Sequence, residues 1–149
     1  MARSRRLGLG WIGQQARRHR RRRDARELST RPIETVWSAF QLAEELIYAR
    51  VRNQLDNLVS AVAAPLSALI YLGATQGDMG GLPWVAQTAA DLAEHPDRDR
   101  WLDLMVSFPN APSVVQMSLN SALQMTDPQR AELAGAIRTI VEDHLKAVA

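Results

Sequence analysis

The ten residues from 17 to 26 read RRHRRRRDAR, and this stretch restricts the fold of the chain more than any other. Seven of the ten are arginine. On a helix these side chains would point in every direction, so no face of the stretch could pack on a core. A segment with this much charge and this little apolar surface cannot offset the entropy lost on ordering. We therefore expect residues 14–28 to be disordered or extended when alone.

The net charge of +2 conceals two regions of opposite sign. Residues 1–31 contain eleven of the eighteen basic residues and only two acidic ones, a formal charge of +9. The rest of the chain contains seven basic and fourteen acidic residues, a formal charge of −7. The sequence therefore predicts a basic arm over residues 1–31 and a folded domain over residues 32–149.

The first part of the domain has a helical pattern. Apolar residues recur at intervals of three and four from Ile33 to Val62, with Trp37 and Ile47 on the shared stripe. This spacing is that of an amphipathic helix. Pro32 suits a first helical position, because the amide hydrogen that proline lacks has no acceptor there. The pattern predicts one long N-terminal helix that begins near Pro32.

Residues 58–76 contain no charged side chain. Length alone would allow this run to span a membrane. Its five alanines, its two serines and Pro65 make it a poor span. We interpret it as a buried central helix, kinked near Pro65, with a membrane span as the alternative.

The remainder of the chain predicts shorter helices separated by turns. The segment GATQGDMGGLP has the glycine and proline content of a turn, and it lacks the GK[ST] ending of a phosphate-binding loop. Caps and prolines then delimit four helical stretches, over residues 83–95, 97–108, 112–125 and 126–148. No run alternates like a strand. The predicted fold is all-α, a compact bundle of about five helices preceded by the arginine-rich arm.

The sequence carries no recognisable catalytic motif. It has no cysteine, and its histidines (His19, His95 and His144) lack the i, i+4 spacing of a helical zinc site. It contains no Glu-x-x-His pair for a di-metal centre and no nucleophile elbow. We therefore expect a protein that is not an enzyme, with no metal and no cofactor.

The arm is the candidate binding segment. The planar guanidinium group of arginine matches phosphate better than any other side chain does, which favours nucleic acid as the partner. Trp11, just upstream, is a candidate for stacking on a base. The predicted contact residues are Trp11, Arg17, Arg18, Arg20, Arg21, Arg22, Arg23 and Arg26.

The composition of the arm also fits three roles besides nucleic-acid binding. The apolar residues 7–13 could enter an anionic membrane surface beside the arginines, although a membrane partner is less favoured. The arm could instead bind an acidic protein surface, including the domain of this same chain. Arginine-rich, acid-poor character also occurs in organellar transit peptides, although these rarely contain one dense block.

These features predict a non-enzymatic small subunit that binds a nucleic-acid backbone within a larger nucleoprotein assembly, such as a ribonucleoprotein effector complex or a virion. Binding should be largely independent of sequence, because flexible arginines have no fixed geometry toward base edges. The expected partners are DNA or RNA and other protein subunits, and the expected location is cytoplasmic. The alternatives are a membrane-associated protein with a polybasic arm and a helical interaction module whose arm docks on an acidic partner.

Overall fold

The computed structural model describes residues 31–50 and 55–149. The helices within these ranges are α1 (Val36–Arg50), α2 (Leu55–Ala74), α3 (Gly81–Glu94), α4 (Arg98–Val106), α5 (Ser113–Leu123) and α6 (Asp127–Val148). A short 3-10 helix, Gly77–Met79, lies between α2 and α3. The described residues contain no strand, so the all-α prediction is confirmed for this part of the chain. The division into arm and domain stays a prediction.

Helix α2 lies at the centre of the domain and packs against α1, α3, α5 and α6. Its middle turns are buried almost all the way round, and the buried apolar residues are Val62, Ala63, Leu66, Ala68, Leu69, Ile70 and Leu72. A helix surrounded by other helices needs no polar face, which explains the absence of charge in this run. The prediction of a buried central helix is confirmed. None of the described helices is long and apolar enough to cross a membrane.

Helix α2 continues through Pro65. Proline has no amide hydrogen, so the carbonyl group of Ala61 loses the hydrogen bond it would normally accept from position 65. Ala61 is exposed, and water can reach its carbonyl oxygen instead. The kink predicted at Pro65 stays a prediction, but the helix does not end there.

The prediction of one long N-terminal helix is wrong. Helices α1 and α2 pack side by side, which a single continuous helix cannot do. A straight helix over 40 residues would extend about 60 Å and leave its first apolar stripe exposed to water. Packing the two helices together buries both stripes. Residues 51–54, between the two helices, lie outside the described residues.

The helical spacing places Trp37 on the buried stripe of α1, and that prediction is also wrong. The buried residues of the helix are Ala39, Leu42, Ala43, Leu46 and Ile47. At 100° per residue, Trp37 lies about 150° around the helix from the centre of this arc. Its side chain is 66% exposed.

The later helices begin and end close to the predicted positions. The two helices with the most extensive mutual contact are α3 and α6, followed by α1 and α2. The glycine-rich segment before α3 forms a tight turn, in which a Cβ atom on Gly80 would lie 2.0 Å from the carbonyl oxygen of Gly73. Gly77 and Gly81 have positive φ angles of 63° and 73°. The turn therefore uses its glycines for backbone conformation and close approach.

Candidate nucleic-acid interface

The predicted contact residues all lie outside the described residues, namely Trp11, Arg17, Arg18, Arg20, Arg21, Arg22, Arg23 and Arg26. Their positions are therefore not described, and their role stays a prediction. The described part of the chain begins at Arg31, the last residue of the predicted arm.

Arg31 places the end of the arm beside the middle of α1. Its Nη1 atom lies 2.5 Å from Oε2 of Glu45, which is on the third turn of the helix. The two side chains are 37% and 45% exposed. Because Arg31 precedes α1, this contact shows that the chain runs back along the side of the helix before entering it.

A reciprocal capping box fixes the start of α1. The Ser38 amide donates to Oγ1 of Thr35 over 3.1 Å, and the Thr35 amide donates to Oγ of Ser38 over 3.0 Å. Serine here takes the position that glutamate or glutamine usually holds in this motif. The helix therefore begins at Val36 rather than near Pro32 as predicted. The signal was present in the sequence as threonine followed three residues later by serine.

The exposed face of α1 carries two aromatic side chains. Trp37 stacks on Phe40, with ring centroids 6.2 Å apart and an interplanar angle of 20°. Tyr48 is 47% exposed. Eleven residues separate Trp37 from Tyr48, so the two lie only about 20° apart around the helix and about 16 Å apart along it. The prediction from sequence missed this surface, because the apolar spacing counted from Ile33 places Trp37 in the core.

Among the described residues of the domain, two arginines are already paired with carboxylates. Arg100 Nη2 lies 3.1 Å from Oδ1 of Asp91, and Arg138 Nε lies 3.0 Å from Oε1 of Glu142. Arg31 is paired as described above. With a formal charge of −7 over residues 32–149, the domain surface repels phosphate more than it attracts it.

Arg130 is buried and belongs to the fold. Its Nε atom donates to the carbonyl oxygen of Pro96 over 2.7 Å, and its Nη1 atom donates to that of Ala122 over 3.3 Å. It also contacts the Met125 carbonyl oxygen and the Asp127 carboxylate. Because α5 ends at Leu123, the contacts with Ala122 and Met125 satisfy carbonyl groups at and just beyond the C-terminal end of that helix. No sequence pattern indicates this role.

A cleft of about 420 Å³ lies between α3 and α4. Its lining includes Trp84, Asp91, Arg100, Asp103 and Leu104. The carboxylate of Asp91 is engaged by Arg100, and the cleft contributes one further carboxylate from Asp103. This lining supplies neither an activated nucleophile nor a phosphate-binding set of donors.

The histidines within the described residues have different surroundings. His95 is the C-terminal cap of α3, the helix-end position predicted for it. His144 is buried on α6, and burial lowers the pKa of its imidazole from the usual 6.5. The neutral form is therefore favoured at pH 7. The described residues contain no group of three side chains suited to holding a metal ion.

No protein-family model matches the chain, and no similarity to a curated protein or to a solved structure was found. Family membership therefore adds nothing to the functional assignment, which depends on the charge, burial and geometry of the residues themselves.

Proposed function

We propose that the chain is a non-enzymatic nucleic-acid-binding subunit of a larger nucleoprotein assembly, located in the cytoplasm. Residues 1–31 supply the phosphate contacts, and residues 32–149 form the helical domain that holds the subunit in place. Binding is largely independent of nucleic-acid sequence. Proteins that bind in this way depend chiefly on the release of counterions from phosphates by arginine and lysine.

The division of charge along the chain is the observation that carries this proposal. The arm has a formal charge of +9, and the domain has one of −7. Arg100 and Arg138 on the domain are paired with carboxylates, and Arg130 is buried. This pairing supports assigning the phosphate contacts to the arm rather than to a basic face of the domain.

Contacts with other subunits are supported by apolar side chains on the domain surface. The larger exposed ones on α4 and α5 are Leu102, Val106, Val114 and Met117. Helices α4 and α5 pack against each other, so these residues belong to neighbouring elements. A contiguous apolar patch formed by such residues would suit a protein contact.

The test is a salt titration of binding by the intact chain and by a variant with Arg17, Arg18 and Arg20–Arg23 all changed to alanine. If six arginines engage phosphates, the logarithm of the binding constant should fall against the logarithm of salt concentration with a slope of about −5 on duplex DNA and about −4 on single strands. The alanine variant should bind all sequences more weakly and with a flatter slope. Fluorescence anisotropy of labelled oligonucleotides measures both.

A variant with the same six arginines changed to lysine is the matched control. Its net charge is unchanged, so its salt slope should equal that of the intact chain. Equal affinities and equal slopes for the intact chain and the alanine variant would contradict the proposal. Sedimentation with anionic vesicles, run in parallel, would then test the membrane alternative.

A further inference from the structure

Trp37 differs from the other described tryptophans in its exposure. Its side chain is 66% exposed, whereas Trp101 is fully buried and Trp84 is partly buried against Phe108. A large aromatic ring left in water on an otherwise amphipathic helix forgoes the stabilisation that burial would give. A ligand that stacked on the ring would recover that stabilisation.

The ring is held in place before any ligand arrives. It stands on the first turn of α1, whose start is fixed by the Thr35–Ser38 capping box. One side of the ring packs on Phe40 in a near-parallel arrangement. A preorganised flat surface loses little conformational freedom when another flat group stacks on it.

The arm joins the domain at the same helix. Arg31 contacts Glu45, which lies about 12 Å along α1 from Trp37 and about one turn before Tyr48. A nucleic-acid strand bound to the arm is therefore tethered to the domain beside this helix. The spacing of about 16 Å between Trp37 and Tyr48 is within the reach of a few nucleotides.

We infer that Trp37 is a stacking site for an unpaired base, and that the nucleic acid recognised by this chain is single-stranded where it meets α1. This inference rests on the proposed function.

The local charge determines which part of the nucleotide faces the ring. Glu34, just before α1, and Glu44, about 10 Å along the helix from Trp37, repel phosphate, whereas a neutral base is not repelled. Duplex bases are already stacked, so only unpaired bases can present a face.

The experiment measures binding of the intact chain, Trp37→Ala and Trp37→Phe to a single-stranded oligonucleotide and to a duplex of the same length. Stacking of one base predicts a loss of about 5- to 100-fold for the alanine variant on the single strand. The phenylalanine variant should retain most of the affinity, because it keeps an aromatic face. Duplex affinity and the salt slope should be unchanged, since no charge is removed.

Met79→Ala is the matched control, because it removes an 85% exposed apolar side chain from the short 3-10 helix before α3. It should bind as the intact chain does. An oligonucleotide with abasic sites provides a second readout, on which the intact chain and Trp37→Ala should bind equally. That equality would show that Trp37 acts through a base.

Unchanged single-strand affinity in Trp37→Ala would overturn the inference. So would an equal loss on single strand and duplex, or a loss that persists on abasic DNA. If the six-alanine arm variant still loses binding in these cases, the proposed function survives the failure of the stacking site. If the arm variant binds as the intact chain does, the proposed function fails as well.

Discussion

Helices α1 and α6 begin with the same local chemistry. Thr35 caps α1 with Ser38 as its reciprocal partner, and Thr126 caps α6 with Gln129 in the same role. In each case two backbone amide groups that the helix leaves unpaired are satisfied by side chains within three residues. The two helix starts therefore differ in their tertiary surroundings and not in their capping.

The arginine nearest in sequence to each helix start reveals that difference. Arg31, which pairs with Glu45 beside α1, has a side chain that is 37% exposed. Arg130, which pairs with Asp127 at the start of α6, is only 4% exposed and bonds to backbone carbonyl groups from other segments. An exposed guanidinium group remains accessible to a ligand, whereas a buried one stabilises the fold.

The largest expected effect is on Arg130. In Arg130→Met the carbonyl groups of Pro96, Ala122 and Met125 would lose their donor within the protein interior. We expect a loss of roughly 3–5 kcal/mol in the free energy of unfolding, measured by urea denaturation. The free energy of unfolding of Arg130→Lys should lie between that of the intact chain and that of Arg130→Met. Lysine keeps the positive charge but lacks the planar fork of arginine.

Arg138→Met is the control for loss of charge without burial. Its guanidinium pairs with Glu142 along the same helix, and both side chains are partly exposed. Its cost should stay below about 1 kcal/mol. If Arg130→Met cost no more than Arg138→Met, the contrast between the buried and the exposed arginine would be wrong.

A smaller effect should come from the two capping threonines. Thr126→Ala and Thr35→Ala each remove one side-chain acceptor from a helix start, and each should lower the free energy of unfolding by about 1 kcal/mol. Serine at either position restores the acceptor and should restore most of the stability. Similar costs would show that capping is local. A much larger cost at Thr126 would mean that its cap also positions Arg130.

The sequence predicted the elements governed by local chemistry and missed those governed by distant contacts. The start of the last helix was predicted from Pro128 and from a cap at Asp127 or Thr126, all of which act within one turn. The burial of Arg130 depends in part on Pro96, 34 residues away, and no local pattern contains that contact. The separation of α1 from α2 was missed for a similar reason, because two packed helices continue the same apolar period as one long helix.

The exposure of Trp37 could have been predicted by defining the buried face of α1 from its aliphatic residues alone. The residues Leu42, Leu46 and Ile47 define an arc on their own, and Trp37 falls opposite it. The arm is a different case. Its charge is evident from composition alone, and its predicted contact residues lie outside the described residues.

The smallest expected effect separates Arg31 from the other arginines of the arm. Glu45 already neutralises its guanidinium group, so Arg31 contributes little to counterion release in the intact chain. Arg31→Ala should therefore change the free energy of unfolding by about 0.5 kcal/mol or less and leave the salt slope of nucleic-acid binding unchanged.

Glu45→Gln should instead add a phosphate contact, because it frees the guanidinium group of Arg31 for phosphate. The slope on duplex DNA should then become steeper by about 0.9. Gln41→Ala, an uncharged change on the same exposed face, is the control. A flatter slope in Arg31→Ala would show that Arg31 leaves Glu45 when nucleic acid binds, and that the exposed pair acts as an exchangeable contact between arm and domain.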